Sequence, residues 1–220
     1  MTRDKIVIYG IGSLGVKLFE YNKRDNLFEI LGFVDDKENL EPLFCGLPTM
    51  SYEQFKSKYN PYDCKVFIAI GYVKCNYFRE LIFHRVINDG YELVNYVSPN
   101  SICFEGVLKG HNILVCDNVF VGHGSIIEDG VILSVGCTLS HENTIERFTF
   151  VSSCVVFGGY SKAKRNSFIG IHSTIKDGIT ISEFNIVGAG TNVLKSTESY
   201  SLTVGNPGKT RKADTLNITI

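Results

Sequence analysis

Gly10, Gly12 and Gly15 in GIGSLG satisfy the GxGxxG spacing. They follow the apolar run KIVIYG and open a helix-like stretch, VKLFEYNKRDN, which is the context that gives the spacing meaning. Glycines there let the backbone turn tightly and approach a phosphate, and the helix start offers unpaired N–H groups at the positive end of its dipole. About twenty residues on, Asp35 and Asp36 end a second strand-like run, EILGFVDDKE, where an acid can bind a ribose or a base. The chemistry is nucleotide recognition. A nicotinamide oxidoreductase needs a second mononucleotide half, which is missing, so a truncated nucleotide-binding lobe is expected. The competing reading is that the glycines only pack a helix against a sheet.

The elements that would hold these groups read as strand, glycine turn, helix, strand and acid, a βαβ arrangement with a parallel sheet of three or four strands. A third buried strand, KVFIAIG (65–71), precedes an amphipathic stretch at 76–90, and YELVNYVSP (91–99) leads to a junction. Beyond it the pattern changes. From Val115 to Val193 an aliphatic, aromatic or small apolar residue recurs at every sixth position: 115, 121, 127, 133, 139, 145, 151, 157, 163, 169, 175, 181, 187 and 193. Neither a helix, with a period near 3.6, nor a strand, with a period of 2, holds that phase. It is the mark of a parallel β-helix. The residues two places earlier, such as Ser125, Cys137, Asn143 and Ser161, are small, polar or β-branched and share the inward face. Three hexapeptides make a triangular coil, so residues eighteen apart stack.

Lysine and arginine number 22 against 23 acids in 220 residues, which disfavours nucleic acid or an anionic membrane surface as partner. No apolar run reaches the ~18 residues of a membrane span, and MTRDK leads directly into a strand-like segment. Seven scattered cysteines without a CxxC pair argue against disulfides and zinc and for a reducing, cytoplasmic setting.

The lobe, the coils and the motifs GFVDD (32–36), IGYVKCNYFRE (70–80), GAGTNV (188–193) and VGNPGK (204–209) together resemble the bacterial nucleotide-sugar acetyltransferases. These are hexapeptide-repeat enzymes of the bacillosamine, perosamine and viosamine N-acetyltransferase type, with the sialic acid O-acetyltransferases beside them. The resemblance covers nearly the whole chain. It implies an α/β Rossmann-like lobe over 1–98 that binds the nucleotide sugar, then a left-handed β-helix over 99–220 that binds acetyl-CoA. Left-handedness comes from the resemblance alone, since strand crossovers are otherwise right-handed.

The resemblance also implies the site. His141, with Glu142 beside it in SHEN, matches the family's His–acid pair, with the imidazole taking a proton from a sugar amine as it attacks the thioester. Neighbouring residues on an extended segment face opposite ways, so a direct His141–Glu142 contact requires a bend. His123, eighteen residues earlier, is expected one coil below as a surface residue, the alternative being a shared site. Gly10, Gly12, Ser13, Leu14, Asp35, Asp36, Gly71, Asn76 and Arg79 fall on the nucleotide-sugar side. Phe150, Gly158, Gly159, Gly170, Ile171, His172, Gly188, Ala189, Lys195, Asn206 and Pro207 fall along the path of coenzyme A, with Gly158 as oxyanion or pantetheine contact. Lys195, Lys209, Arg211 and Lys212 would meet its phosphates or else form a solvated end.

Two departures stand out. Phe150 replaces a second histidine found in several relatives, and Leu14 and Val16 replace the GxGGHGK loop. Phe148, Phe150, Phe168 and Phe184, off the inward register, suit an exposed interface, and the family packs as a homotrimer.

The resulting expectation is an acetyl-CoA-dependent N-acetyltransferase acting on a nucleotide-linked, 4-amino-4,6-dideoxy-type sugar for surface glycan synthesis, with no metal. Its rivals are O-acetylation of a sialic acid-type sugar and a non-catalytic binding module. A zinc hydratase built on similar coils would need an HxxxxH pair, and none of the five histidines forms one.

Overall fold

The computed structural model describes residues 3–218. The β-branched and aromatic run at its start forms strand β1 (Lys5–Tyr9), buried from Ile6 onward. Helix α1 (Ser13–Asp25) leads from the glycine turn to β2 (Glu29–Val34) and ends on Asn26 in the left-handed conformation, φ 55°. β3 (Leu43–Phe44), β4 (Leu47–Met50), α2 (Tyr52–Lys58), β5 (Lys65–Ile68) and α3 (Tyr77–Asn88) follow. The sheet order is β3-β4-β2-β1-β5, with β1 parallel to both β2 and β5. This is one strand more than the largest sheet expected. The hairpin of β3 and β4 turns through Cys45 and Gly46, both at positive φ, and its short strands and Pro48 offer no alternation to read.

Two compact units divide the chain. One takes the residues up to Gly71 and Leu81–Val94; the other takes Tyr72–Glu80 and everything from Asn95 onward. Asn95 belongs with the coils because its side chain accepts the Ile113 N–H (2.8 Å) and donates to the Gly110 carbonyl (2.9 Å).

In the second unit the six-residue period becomes a left-handed β-helix of two-residue strands in three parallel sheets. Registers advance by eighteen, as in Thr138↔Val156 and Thr144↔Lys162. All fourteen inward positions from Val115 to Val193 are buried, as are the fourteen residues two places before them. The polar members of this second set tie successive corners together. Thr149 donates to the Lys164 carbonyl, Ser167 to Ser182 and Ser173 to Gly188, each fifteen residues on. Every sixth residue from Asn112 to Gly190 has positive φ, and these residues make the corners.

Phe148, Phe168 and Phe184 are buried and Phe150 is half-buried, which corrects the expectation of exposed rings. Tyr72 sits edge-on to Phe150 (5.2 Å) and Phe168 (4.8 Å), while Leu216 and Ile218 of the tail pack against the same cluster.

Candidate active site

One corner of the coils carries the candidate chemistry. Its left-handed positions are Gly106, Gly124, Glu142, Tyr160 and Gly178, and the residues just before them are Glu105, His123, His141, Gly159 and Asp177. Bulky side chains are costly at positive φ. The two non-glycine members, Glu142 (φ 53°) and Tyr160 (φ 59°), both flank His141.

His141 is half-buried and is located by packing. Its ring leans into the space above Gly159, where a β-carbon would fall within 3.0 Å of Cε1 and Nε2. His123, one coil below, stacks on it with centroids 5.6 Å apart and planes 13° apart. Tyr160 meets it edge-on at 5.1 Å and 89°. The neighbouring backbone is pinned: Glu142 N–H donates to the His123 carbonyl (2.9 Å) and Tyr160 N–H to the His141 carbonyl (3.0 Å). Asn143 braces the corner from inside through Gly158 O (2.7 Å) and Ser161 Oγ (3.0 Å).

Glu142 lies next to His141 but forms no hydrogen bond with it among the described residues. Its carboxylate rests over Gly124, where a β-carbon would come within 3.0 Å of it. The Gly158 N–H is held by the Ile175 carbonyl (2.9 Å), so its amide is not a free oxyanion donor. Gly159 N–H meets the Asp177 carboxylate (2.9 Å), a side-chain partner that can move aside.

Other expected residues are scattered by the structure. Phe150 stacks on Phe168 (5.5 Å, 27°) on a different sheet from the His141 corner, so the structure does not bring its ring beside His141 within the chain. Gly170 and Gly188 give their N–H groups to Val187 and Thr203 carbonyls. Ile171, His172, Ala189, Lys195, Asn206 and Pro207 are exposed on later coils and the tail. Lys209, Arg211 and Lys212 lie on an exposed strand, with Lys212 paired to Glu198 (3.1 Å).

Asn76 and Arg79 are fully buried, and their side chains serve the coils in place of a nucleotide. Asn76 Nδ2 donates to Ser167 O (2.9 Å); Arg79 donates from Nε to Gly130 O (3.1 Å) and from Nη2 to Phe148 O (2.7 Å). Burial pushes the Arg79 guanidinium down to about 9, so it stays charged at neutral pH.

In the lobe, Gly10 (φ 119°) and Gly15 allow the close approach expected of the glycine turn. A β-carbon on Gly10 would lie 2.7 Å from the Ala69 carbonyl oxygen, and one on Gly15 within 3.0 Å of the Gly10 carbonyl. Gly12 caps α1 and faces open space, Ser13 is exposed, Leu14 is buried, and Gly71 is half-buried at the boundary of the unit. Asp35 is occupied with backbone, accepting the N–H of Ile11 (3.1 Å) and of Lys37 (3.0 Å). Asp36 Oδ2 takes the Tyr9 hydroxyl (2.6 Å) and Arg85 Nη1 (2.6 Å), and no described residue donates to its Oδ1. The Arg85 guanidinium lies 4.0 Å from the Tyr52 ring centroid. Burial, then the Asp36 carboxylate, drives the Tyr9 phenol well above its usual range. Sequence reasoning missed Tyr9, Tyr52 and Arg85, which no spacing rule joins. It could have found Tyr160 as a break in the glycines at 106, 124 and 178.

Among the described residues, no group of three or more His, Cys, Asp or Glu side chains could hold a metal, and no helix is long and apolar enough to cross a membrane.

Residues 5–86 match a family described as the PglD N-terminal domain. The acetyltransferase domain of PglB from Neisseria gonorrhoeae is 20% identical, covering 94% of this chain and 99% of that one, with a TM-score of 0.84. PerB from Caulobacter crescentus, solved with CoA and GDP-perosamine, is 22% identical over 94% and 97% of the two chains, with a TM-score of 0.84. WeeI from Acinetobacter baumannii is 22% identical over 94% and 99%, with a TM-score of 0.81. The chain thus carries the PglD N-terminal domain signature on residues 5–86 and, over most of its length, the α/β-lobe and left-handed β-helix fold of PglB and PerB.

Proposed function

We propose that this protein transfers the acetyl group of acetyl-CoA to the amino group of a nucleotide-linked 4-amino-4,6-dideoxy-type sugar. The observation that carries the reading is His141, half-buried on a coil corner and held by packing, with no described residue hydrogen-bonded to its ring nitrogens. A neutral imidazole in that state is able to take a proton. The acetyl-CoA and nucleotide-sugar ligands named for the structural relatives support the choice of substrates.

Acetyl-CoA supplies an activated acyl carbon as its thioester. The sugar amine forms the new N–C bond, the C–S bond breaks, and the amine's surplus proton passes to His141 and on to the departing thiolate. Glu142, beside the imidazolium, lowers the cost of its charge without bonding to it. The glycine turn and the free Oδ1 of Asp36 fit the nucleotide. A homotrimer in the cytoplasm, serving surface glycan synthesis, completes the proposal.

The test is thiol release from acetyl-CoA with UDP-, dTDP- and GDP-linked 4-amino sugars and their hydroxyl counterparts. Turnover with one amino sugar, cut about 10²–10⁴-fold by His141→Ala and roughly tenfold by Glu142→Gln, is expected. Turnover only with hydroxyl sugars would reassign the acceptor, and a chain that binds no coenzyme A would end the acyltransferase reading.

A further inference from the structure

We propose that Tyr160 is a positioning residue that holds the imidazole of His141 in its working orientation; the inference rests on His141 being the base. Two independent observations carry it. The first is geometric: the Tyr160 ring stands edge-on to the His141 ring, 5.1 Å between centroids and at 89°, completing a grip whose other sides are His123 and Gly159. Edge-to-face pairs of this kind are attractive beyond their contact area.

The second is conformational. Tyr160 has φ 59° at a corner whose neighbours one coil above and two coils below, Gly178 and Gly124, are glycines. It is also 63% exposed, so burial does not repay the unfavourable backbone. Left-handed backbone is the rule at the coil corners, but in this column glycine stands at 106, 124 and 178, and a large, largely solvated ring at 160 gains little from burial. Among the described residues, its ring pairs with the imidazole alone. A ring nitrogen bonded to a carboxylate would be oriented by that bond, and His141 has no such partner among the described residues. Orientation must therefore come from contacts, and displacement of a reacting group by about 1 Å costs roughly 10²-fold in rate.

The arrangement makes an unusual demand on substitution. Tyr160→Gly relieves the backbone while releasing the imidazole. Stability should hold or rise as turnover falls, whereas a merely structural tyrosine would lose both or neither. Tyr160→Phe keeps the ring and should keep the activity.

The experiment compares wild type, Tyr160→Gly, Tyr160→Asn and Tyr160→Phe by steady-state kinetics, thermal unfolding and the proton NMR resonance of His141 Cε1–H. For the glycine and asparagine variants we expect kcat to drop at least tenfold, KM for acetyl-CoA and for the sugar to stay within twofold, and Tm to hold or rise. The His141 resonance should move as the tyrosine's ring current is lost, and Tyr160→Phe should behave as wild type in all readouts. Unchanged kcat in Tyr160→Gly, a raised sugar KM at constant kcat, or a Phe variant as impaired as the Gly variant would each overturn the proposal. If wild type transfers no acetyl group, the proposed function fails. The His141 resonance still decides the positioning claim, which an unmoved signal in Tyr160→Gly would sink.

Discussion

The imidazole of His141 fills the volume that a side chain on Gly159 would need, one coil above it. Gly159 has ordinary backbone angles, so alanine there is conformationally acceptable and the conflict is with the ring alone. Gly159→Ala should fold normally, bind coenzyme A normally and lose about 10²-fold in kcat by displacing the proposed base. Kinetics beside a coenzyme A titration checks this, and a fully active variant would show that the ring position is not critical.

Asp35 and Asp36 are adjacent in sequence but have different tasks. Asp35 ties the glycine turn to the end of β2 through Ile11, whereas Asp36 is held on one oxygen by Tyr9 and Arg85. Arg85→Gln should therefore raise the KM for the nucleotide sugar about tenfold, the loss of one charge-assisted hydrogen bond, and leave that for acetyl-CoA unchanged. Asp35→Asn should weaken nucleotide binding and also lower Tm. Binding isotherms with the bare nucleoside diphosphates, set beside melting curves, separate the two.

Arg79 contributes stability. Its guanidinium satisfies carbonyls at Gly130 and Phe148 in a fully buried setting. Arg79→Met should cost about 3 kcal/mol, since two buried acceptors lose their donor. Denaturant unfolding reads this directly. A loss below about 1 kcal/mol would mean that the carbonyls find other partners.

The thiols should divide by accessibility. Burial pushes Cys75 and Cys137 up to about 12 and Cys64 to about 11, so at pH 8 they remain protonated and shielded. Cys154 is exposed. A thiol reagent at pH 8 should label Cys154 rapidly and spare those three until the chain unfolds, as mass spectrometry of the labelled peptides will show.

The inward faces of the coils were legible because each hexapeptide reports its phase through a single residue, and fourteen agree. What covers an outward face was not. The period places Phe150, Phe168 and Phe184 off the interior, but it cannot announce that Tyr72–Glu80 and the tail return over them. Asn76 and Arg79 were misassigned for the same reason: a polar residue after a strand-end glycine looks alike whether it meets a ligand or a coil. A direct contact between Glu142 and the imidazole requires a bend, and the carboxylate instead folds onto Gly124, a direction set by the corner's left-handed backbone at Glu142, which the sequence does not display.

The six-residue recurrence of left-handed corners, with strands in register at eighteen, makes the column sensitive to length in an uneven way. Excising eighteen consecutive residues above Gly178 takes out one storey and lets the floors on either side close up with every corner still a corner. Removing one residue hands the corner's backbone to a neighbour suited to a strand and turns each later interior side chain toward water. Changes of length are tolerated by whole floors, and the storey that carries His141 can change its corner residues while the building keeps its height.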